Sequence, residues 1–484
     1  MARREDVDPG LPIKLNPCSN GEFVPGPPGP VAAEAARVAR TEASDRARRL
    51  GMSRRRFLLS SMGAAAGLLV LDACSKESGK ATGQGPPSGS FTVPPEASSD
   101  LGAAQSTVGG SETILDVQTH LLDYELVPEG PDFWSGFPYK NCGEAEQRDC
   151  FGVDHWMEEL FVRSDTAMVV LSAVPIVGDA DPLSIDVMER ARRVASDLCG
   201  DGRVLLQGHA VPNVGRIEAA LDGMRELHAS HPIAAWKVYT HAPGPGWSFV
   251  DDTGQAFLST VEEIAATGGT RIVAVHKGLA DGDPAASPAD IGPAAVAHPD
   301  LRFVVYHSGY EGNAEGPFAE DGKGVDRLVR SLRDAGVRPG GNVYAELGST
   351  WRAVMGKPDQ AGHVLGKLLT AVGEDNILWG TDSIWYGSPQ DQIQAFRTFE
   401  LTAEAQERFG YPALTPAVKQ KIFGGTAARL YGIDLANVAA AKCQFSPDDV
   451  EHARQETALG NTTYGPVSAA AVAATFQRDH PWMT

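Results

Sequence analysis

The chain has 484 residues, 42% of them hydrophobic, enough to bury one large core or two ordinary ones. Its formal net charge of -20 argues against sequence-independent nucleic-acid binding, which needs clustered Lys and Arg to displace counterions. The acidity marks a solvated, self-repelling surface and says little about fold.

In chain order, residues 1–51 carry Pro25-Gly26-Pro27-Pro28-Gly29-Pro30 and read as a disordered leader, or as sequence ahead of a start at Met52. Residues 52–74 read as a signal peptide. Ser53-Arg54-Arg55-Arg56-Phe57-Leu58 is a twin-arginine sequence. The uncharged run Phe57 to Leu71 that follows is short for a span of about 20 residues but suits a signal's hydrophobic region. A basic patch beside a buried helix is the alternative for the same residues. Leu71-Asp72-Ala73-Cys74 resembles a bacterial lipobox, with Asp72 departing from the small or apolar residue usual there. A lipid on Cys74 would tether the chain to a membrane surface without a spanning helix. Residues 75–111, rich in Gly, Ser, Pro and Thr, read as a flexible linker. These features predict export by the twin-arginine route, to the cell surface or another extracytoplasmic place.

Residues 112–443 alternate short β-branched runs with helical stretches. The strands are predicted at Thr113–Leu121, Ala167–Val174, Val204–Val211, Ala234–Thr240, Arg271–His276, Arg302–His307, Asn342–Leu347 and Ile377–Thr381. Helical patterns fill the gaps at Leu183–Cys199, Arg216–Ala229, Gln255–Thr267, Pro288–Ala297, Val325–Ala335, His363–Val372 and Asp391–Phe409. Near-continuous apolar strands fit a parallel sheet covered on both faces. Eight such units predict a (β/α)8 TIM barrel. A doubly wound open sheet is the rival, but no glycine-rich phosphate turn follows the first strand. Residues 444–484 read as a C-terminal extension on the barrel surface.

Cys142 and Cys150 are close enough in sequence to pair outside the cytoplasm, while Cys199 and Cys443 read as single buried residues that can also pair. No Cys-x-x-Cys occurs, which argues against a thiolate zinc site.

Catalytic groups of a parallel barrel gather where strands end at the C-terminal mouth. His120, His241, His276, His307 and Asp382 all lie at or just past predicted strand ends. Residues two apart on a strand share a face, so Asp116, Gln118 and His120 project together into the barrel. Imidazoles with a carboxylate suit zinc or a similar divalent ion with a position left for water. Asp382 is placed to take a proton and His307 to polarise a carbonyl. Lys237, on the fourth strand, reads as an interior cation paired with a carboxylate such as Glu346, or as a substrate contact. Trp247, Tyr310, Trp351, Trp385 and Tyr386 lie in the mouth loops, where Tyr310 and Trp385 are candidates for substrate contact. The loop Phe133–Tyr139 reads as a lid.

Four motifs in order are Asp116-x-Gln118-x-His120, His276-x-Gly278, His307-Ser308-Gly309 and Trp379-Gly380-Thr381-Asp382. With the late Ile422-Phe423-Gly424-Gly425-Thr426-Ala427-Ala428-Arg429-Leu430-Tyr431-Gly432, the stretch Ile114 to Tyr431 resembles the amidohydrolase superfamily. The resemblance is to its amidohydrolase-related branch, with aminocarboxymuconate-semialdehyde decarboxylase and the resorcylate-type decarboxylases. It implies His120, His276 and Asp382 as metal ligands and His307 as a catalytic group. Gln118 departs from the pattern, being a neutral amide where imidazole or carboxylate is usual. The resemblance therefore implies one divalent ion, zinc or manganese, and a small-molecule substrate. An exported mononuclear hydrolase of a small amide, lactone or ester is the reading, with homo-oligomers open. A carboxy-lyase, or a barrel that lost its metal and binds a ligand, are the alternatives.

Overall fold

The structure is a computed structural model that describes residues 8–83, 85–124, 144, 147–178, 181–440, 443 and 460–471. Eight parallel strands, β1 (Ile114–Thr119), β2 (Thr166–Leu171), β3 (Val204–His209), β4 (Ile233–Tyr239), β5 (Ile272–His276), β6 (Arg302–Tyr306), β7 (Val343–Glu346) and β8 (Ile377–Leu378), pair in sequential order. The ring closes between first and last. Val117 N–H donates to the Trp379 carbonyl (3.0 Å), Asp382 N–H to that of Gln118 (2.9 Å) and His120 N–H to that of Ser383 (2.6 Å). The predicted barrel is therefore present, with each strand within a few residues of its expected bounds.

Register decides which alternate residues enter the barrel. Lys237 pairs with Ala274, Ala274 with Val304 and Val304 with Tyr344, so these four share the inner face. Val170, Ala235, Ala274, Val304, Tyr306 and Leu378 fill the interior as one apolar cluster. Their neighbours Trp236, Val273, Val275, Phe303 and Val305 point outward, into the layer beneath the helices. Both faces are thus buried, which is why the strands read as unbroken apolar runs.

One predicted helix is two. Asp391–Phe409 divides into Gln390–Thr398 and Ala403–Phe409, separated by a short strand, Phe399–Leu401. That strand pairs antiparallel with Gly89–Phe91, and Phe91 meets Phe399 edge to face at 5.3 Å. The approach is close enough that a Cβ on Gly89 would overlap the Phe399 ring. Long-range pairing here overrides a helical pattern that local sequence alone supported.

N-terminal to the barrel, residues 8–83 hold three helices. Helices α1 (Pro30–Arg49), α2 (Arg54–Leu58) and α3 (Ser61–Thr82) pack on the barrel's helical layer. Phe57, Leu58, Ala65, Leu68 and Leu71 are fully buried in the main core. Arg54 lies 3.3 Å from Asp8 at the surface, and the alanine- and leucine-rich run that follows finds an apolar partner surface on the barrel. Asp72, the residue foreign to a lipobox, accepts hydrogen bonds from Ser90 Oγ (2.8 Å) and Phe91 N–H (3.1 Å). The expected linker 75–111 likewise contains the end of α3, the strand Gly89–Phe91 and a helix, Leu101–Val108. Among the described residues no helix is long and apolar enough to cross a membrane.

Cys199 and Cys443 form a disulfide, tying the end of a barrel helix to the start of the C-terminal extension. Cys150 is also disulfide-bonded; Cys142, its expected partner, lies outside the described residues, as does the expected lid Phe133–Tyr139. Of the extension, residues 460–471 lie at the barrel mouth. There Tyr464 N–H donates to the Trp385 carbonyl (2.8 Å) and Ser19 N–H to the Pro466 carbonyl (2.8 Å).

Truncating Leu71 to alanine is expected to cost about 2–5 kcal/mol in urea unfolding, the range for an emptied core site. A change within about 0.5 kcal/mol, as at an exposed position, would contradict the burial of α3.

Candidate metal centre

The mouth of the barrel holds a buried polar cluster built from strand ends and from the N-terminal segment. Asp382, just past β8, accepts five hydrogen bonds. Its Oδ1 receives Gln118 Nε2 (3.1 Å), His120 Nε2 (3.0 Å) and Trp385 Nε1 (3.3 Å), and its Oδ2 receives Asn20 Nδ2 (2.8 Å) and Ser349 Oγ (2.5 Å). Burial pushes its carboxyl up, but the hydrogen bonds from His120 and Ser349 help to outweigh that and hold it below the usual carboxylate range. Asp382 is thus an ionised carboxylate in a dry site.

Across the mouth, His276 ends β5 and His307 opens the loop after β6. His307 Nδ1 lies 2.8 Å from the Gly348 carbonyl, which makes Nδ1 the protonated nitrogen and turns the Nε2 lone pair inward. That Nε2 sits 3.2 Å from His276 Nδ1. Burial lowers His307 to about 4 and holds His276 well below its ordinary value, so both rings are neutral and able to donate lone pairs. His241 lies tilted against His276, with ring centroids 4.7 Å apart.

The third group at this pair is Glu22, from the N-terminal segment. Its carboxylate lies 3.3 Å from His276 Nδ1 and 3.8 Å from His307 Nε2, and Asn20 Nδ2 donates to it at 2.6 Å. Ligand atoms of Glu22, His276 and His307 all fall within 4.8 Å of one another. Burial raises Glu22 to about 8.

The local backbone is strained where the site needs it. Among the described residues, all six non-glycine positions with positive φ follow β5 to β8: Leu279, Ala280, His307, Ser308, Ser349 and Asp382. Each costs of order 1–3 kcal/mol unless neighbours over-determine it. Glu346 supplies much of that constraint, accepting His307 N–H (3.0 Å) and Gly348 N–H, while Asp116 accepts Thr381 N–H (3.0 Å) and Thr381 Oγ1. In Trp379-Gly380-Thr381-Asp382, a Cβ on Gly380 would overlap the Glu346 carboxylate, so glycine is required.

The structure therefore brings Gln118, His120, His276, His307, Asp382 and Trp385 to one site, with Trp385 stacked on His120 at 5.7 Å. Two expectations fail. Lys237 does not pair with Glu346, whose oxygens are taken by backbone N–H groups. Its Nζ lies 3.9 Å over the Tyr306 ring and 4.3 Å over Tyr239, with no hydrogen-bond partner among the described residues. Tyr310 turns its ring into the layer under the helices, on the side of buried Glu315, because its backbone carbonyl is drawn toward Leu279 N–H (2.6 Å). Trp247 and Trp351 are core residues whose indoles donate to the Tyr239 and Gln392 carbonyls. Sequence reasoning missed Asn20, Glu22 and Ser349, none of which carries a local signal.

Donors here fit a divalent cation. Gln118 Oε1, His120 Nδ1 and His276 Nε2 are buried without hydrogen-bond partners among the described residues, beside an ionised carboxylate.

A family model described as Amidohydrolase matches residues 143–433, more than half of the chain. The matched span includes His276, His307 and Asp382 and begins after Gln118 and His120. No curated protein matches the chain. Among solved structures, an uncharacterised TIM-barrel protein of Bordetella bronchiseptica is 15% identical over 68% of this chain and 99% of its own, with a TM-score of 0.43. A 5-carboxyvanillate decarboxylase of Novosphingobium aromaticivorans, with manganese and 3-methoxy-4-hydroxy-5-nitrobenzoic acid bound, is 12% identical over 67% and 98% (TM-score 0.45). A 2,6-dihydroxybenzoate decarboxylase from Rhizobium is 14% identical over 66% and 98% (TM-score 0.38). Likenesses this distant bear on no residue and no reaction.

Lys237 is a buried ammonium with no hydrogen-bond partner among the described residues, lowered to about 7 by burial against the pull of Glu22, Asp382 and Glu346. Its ordinary value of 10.5 means the unfolded chain holds the proton more tightly between pH 7 and 10.5, so this group's penalty is full below pH 7 and fades as pH rises. Lys237→Met is expected to stabilise the fold by on the order of 1–3 kcal/mol at pH 6 and by progressively less toward pH 10. Thermal unfolding across that range checks it; a loss of stability at pH 6 would contradict it.

Proposed function

The chain belongs to the amidohydrolase family, and from that premise we propose a mononuclear metal-dependent hydrolase of a small amide, lactone or ester. The carrying observation is the ionised Asp382 facing Gln118, His120 and, across the mouth, His276 and His307, with buried lone pairs left unpartnered. Gln118, His120, His276 and Asp382 would hold the ion. A bound divalent ion, zinc or manganese, supplies Lewis acidity and lowers the pKa of water to about 7.

The chain's own residues do the rest. Asp382 orients His120 through Nε2 and, on the solvent side, can receive a proton only by giving up one of its five donors. Breaking the Asn20 bond frees Oδ2 for that purpose. His307, fixed by the Gly348 carbonyl, keeps one ring orientation and directs Nε2 at the reacting carbonyl or its developing charge. Trp385 covers His120 and excludes water from that side. Lys237 offers an unpaired ammonium to an anionic part of the substrate.

That ammonium also favours the second reading, non-oxidative decarboxylation of an aromatic or enoic acid, in which Lys237 would hold the substrate carboxylate. Release of carbon dioxide rather than of a new acid, scored across a panel of carboxylated aromatics, lactones and amides, separates the two. Asp382→Asn is expected to lower kcat/KM and metal affinity each by about 10²-fold. A purified protein carrying well under one equivalent of zinc or manganese after reconstitution would sink both readings and favour a metal-free binding barrel.

Export by the twin-arginine route and a lipid anchor at Cys74 belong to the same proposal, supported by Ser53–Leu58 and the Cys74 context. Processing before Cys74 would remove Asn20 and Glu22 from the mouth, so processed and full-length chains would differ at the site. Replacing Arg54 and Arg55 by lysine is expected to retain the chain in the cytoplasm; undiminished export in a cell-fractionation assay would refute the route.

A further inference from the structure

Ligand atoms of Glu22, His276 and His307 converge within 4.8 Å of one another. His307 Nδ1 is committed to the Gly348 carbonyl, so Nε2 is a bare lone pair aimed at His276 Nδ1, 3.2 Å away. Glu22 presents a carboxylate oxygen to the same His276 Nδ1 at 3.3 Å. A proton on His276 Nδ1 must be shared between both neighbours and leaves His276 Nε2 buried and unpartnered. A divalent cation would take lone pairs of Glu22 and His276 together.

The N-terminal segment is built to hold Glu22 there. Glu22 N–H donates to Asn20 Oδ1 (3.0 Å), the Glu22 carbonyl accepts Ala280 N–H (3.0 Å), and Asn20 Nδ2 bridges the carboxylates of Glu22 and Asp382. Further back, Arg352 donates to the Asn16 carbonyl and buried Lys14 pairs with Asp391 at 3.2 Å. Imidazole and carboxylate are the donor types a catalytic divalent ion takes, and Glu22 would join His276 among its ligands while His307 Nε2 faces the substrate.

We propose that Glu22 is a ligand of the barrel's divalent ion, an oxygen donor brought from outside the barrel to a site where the first strand and its end supply the amide of Gln118 and the imidazole of His120. This rests on the metal-dependent reading above. The residue lies beyond the span matched by the family model, so no family pattern assigns it.

The test is metal affinity of the full chain, measured by chelator competition with Zn2+ and Mn2+, together with the visible absorption of the Co2+ form. Glu22→Gln, isosteric and uncharged, is expected to weaken affinity by about 10–100-fold and to change the cobalt spectrum. Glu22→His, which restores a ligand atom, is expected to recover most of that loss. Wild-type affinity and an unaltered spectrum in Glu22→Gln, with only the unfolding temperature of the metal-free protein moved, would make Glu22 a structural residue and overturn the proposal. In that outcome the ion still binds and the metal-dependent reading stands; a wild-type chain that binds no ion brings down both.

Discussion

The carboxylate of Asp382 is the point on which this mouth depends. A buried carboxylate is expensive unless its lone pairs are filled, and here five donors converge on two oxygens. They come from the N-terminal segment, β1, the loop after β7 and the loop after β8. Satisfying one charge therefore pulls four separate parts of the chain together. Asp382 itself sits at positive φ, as do His307 and Ser349 beside it. Such backbone persists because the hydrogen bonds around it over-determine the conformation.

The other buried acids divide the remaining labour. Asp116 and Glu346, fully buried and pushed up by desolvation, hold backbone N–H groups of the β8 and β6 loops rather than a cation. They are positioning residues, one layer beneath the atoms that meet a ligand. Lys237 is left without a carboxylate and rests between two tyrosine rings, a partial compensation worth less than an ion pair. Uncompensated charge kept in a dry pocket is costly to the fold.

Much of this was legible from residue order. The eight strands follow from unbroken apolar runs, and the histidines and Asp382 at their ends mark the mouth. What local pattern missed has a common cause. Asn20 meets Asp382 across a sequence separation of 362, and no periodicity or spacing connects the two. The run Phe57–Leu71 reads as a signal because it is short, apolar and preceded by arginines; the same qualities let α3 bury itself against the barrel. Asp391–Phe409 reads as one helix because the strand that interrupts it exists only through pairing with Gly89–Phe91. The expected Lys237–Glu346 pair shares a barrel face, but the backbone N–H groups after β6 and β7 take Glu346 first.

By itself the sequence determined the barrel, its strand order, and the residues Gln118, His120, His276, His307 and Asp382 as one constellation, because strand periodicity and the geometry of a closed parallel sheet are local and repetitive. Tertiary structure alone decided what surrounds them: Asn20 and Glu22 in the mouth, Lys237 without a partner, Tyr310 turned away. Those outcomes turn on which distant groups compete for the same buried hydrogen bonds, and that competition is settled only when the chain has closed on itself.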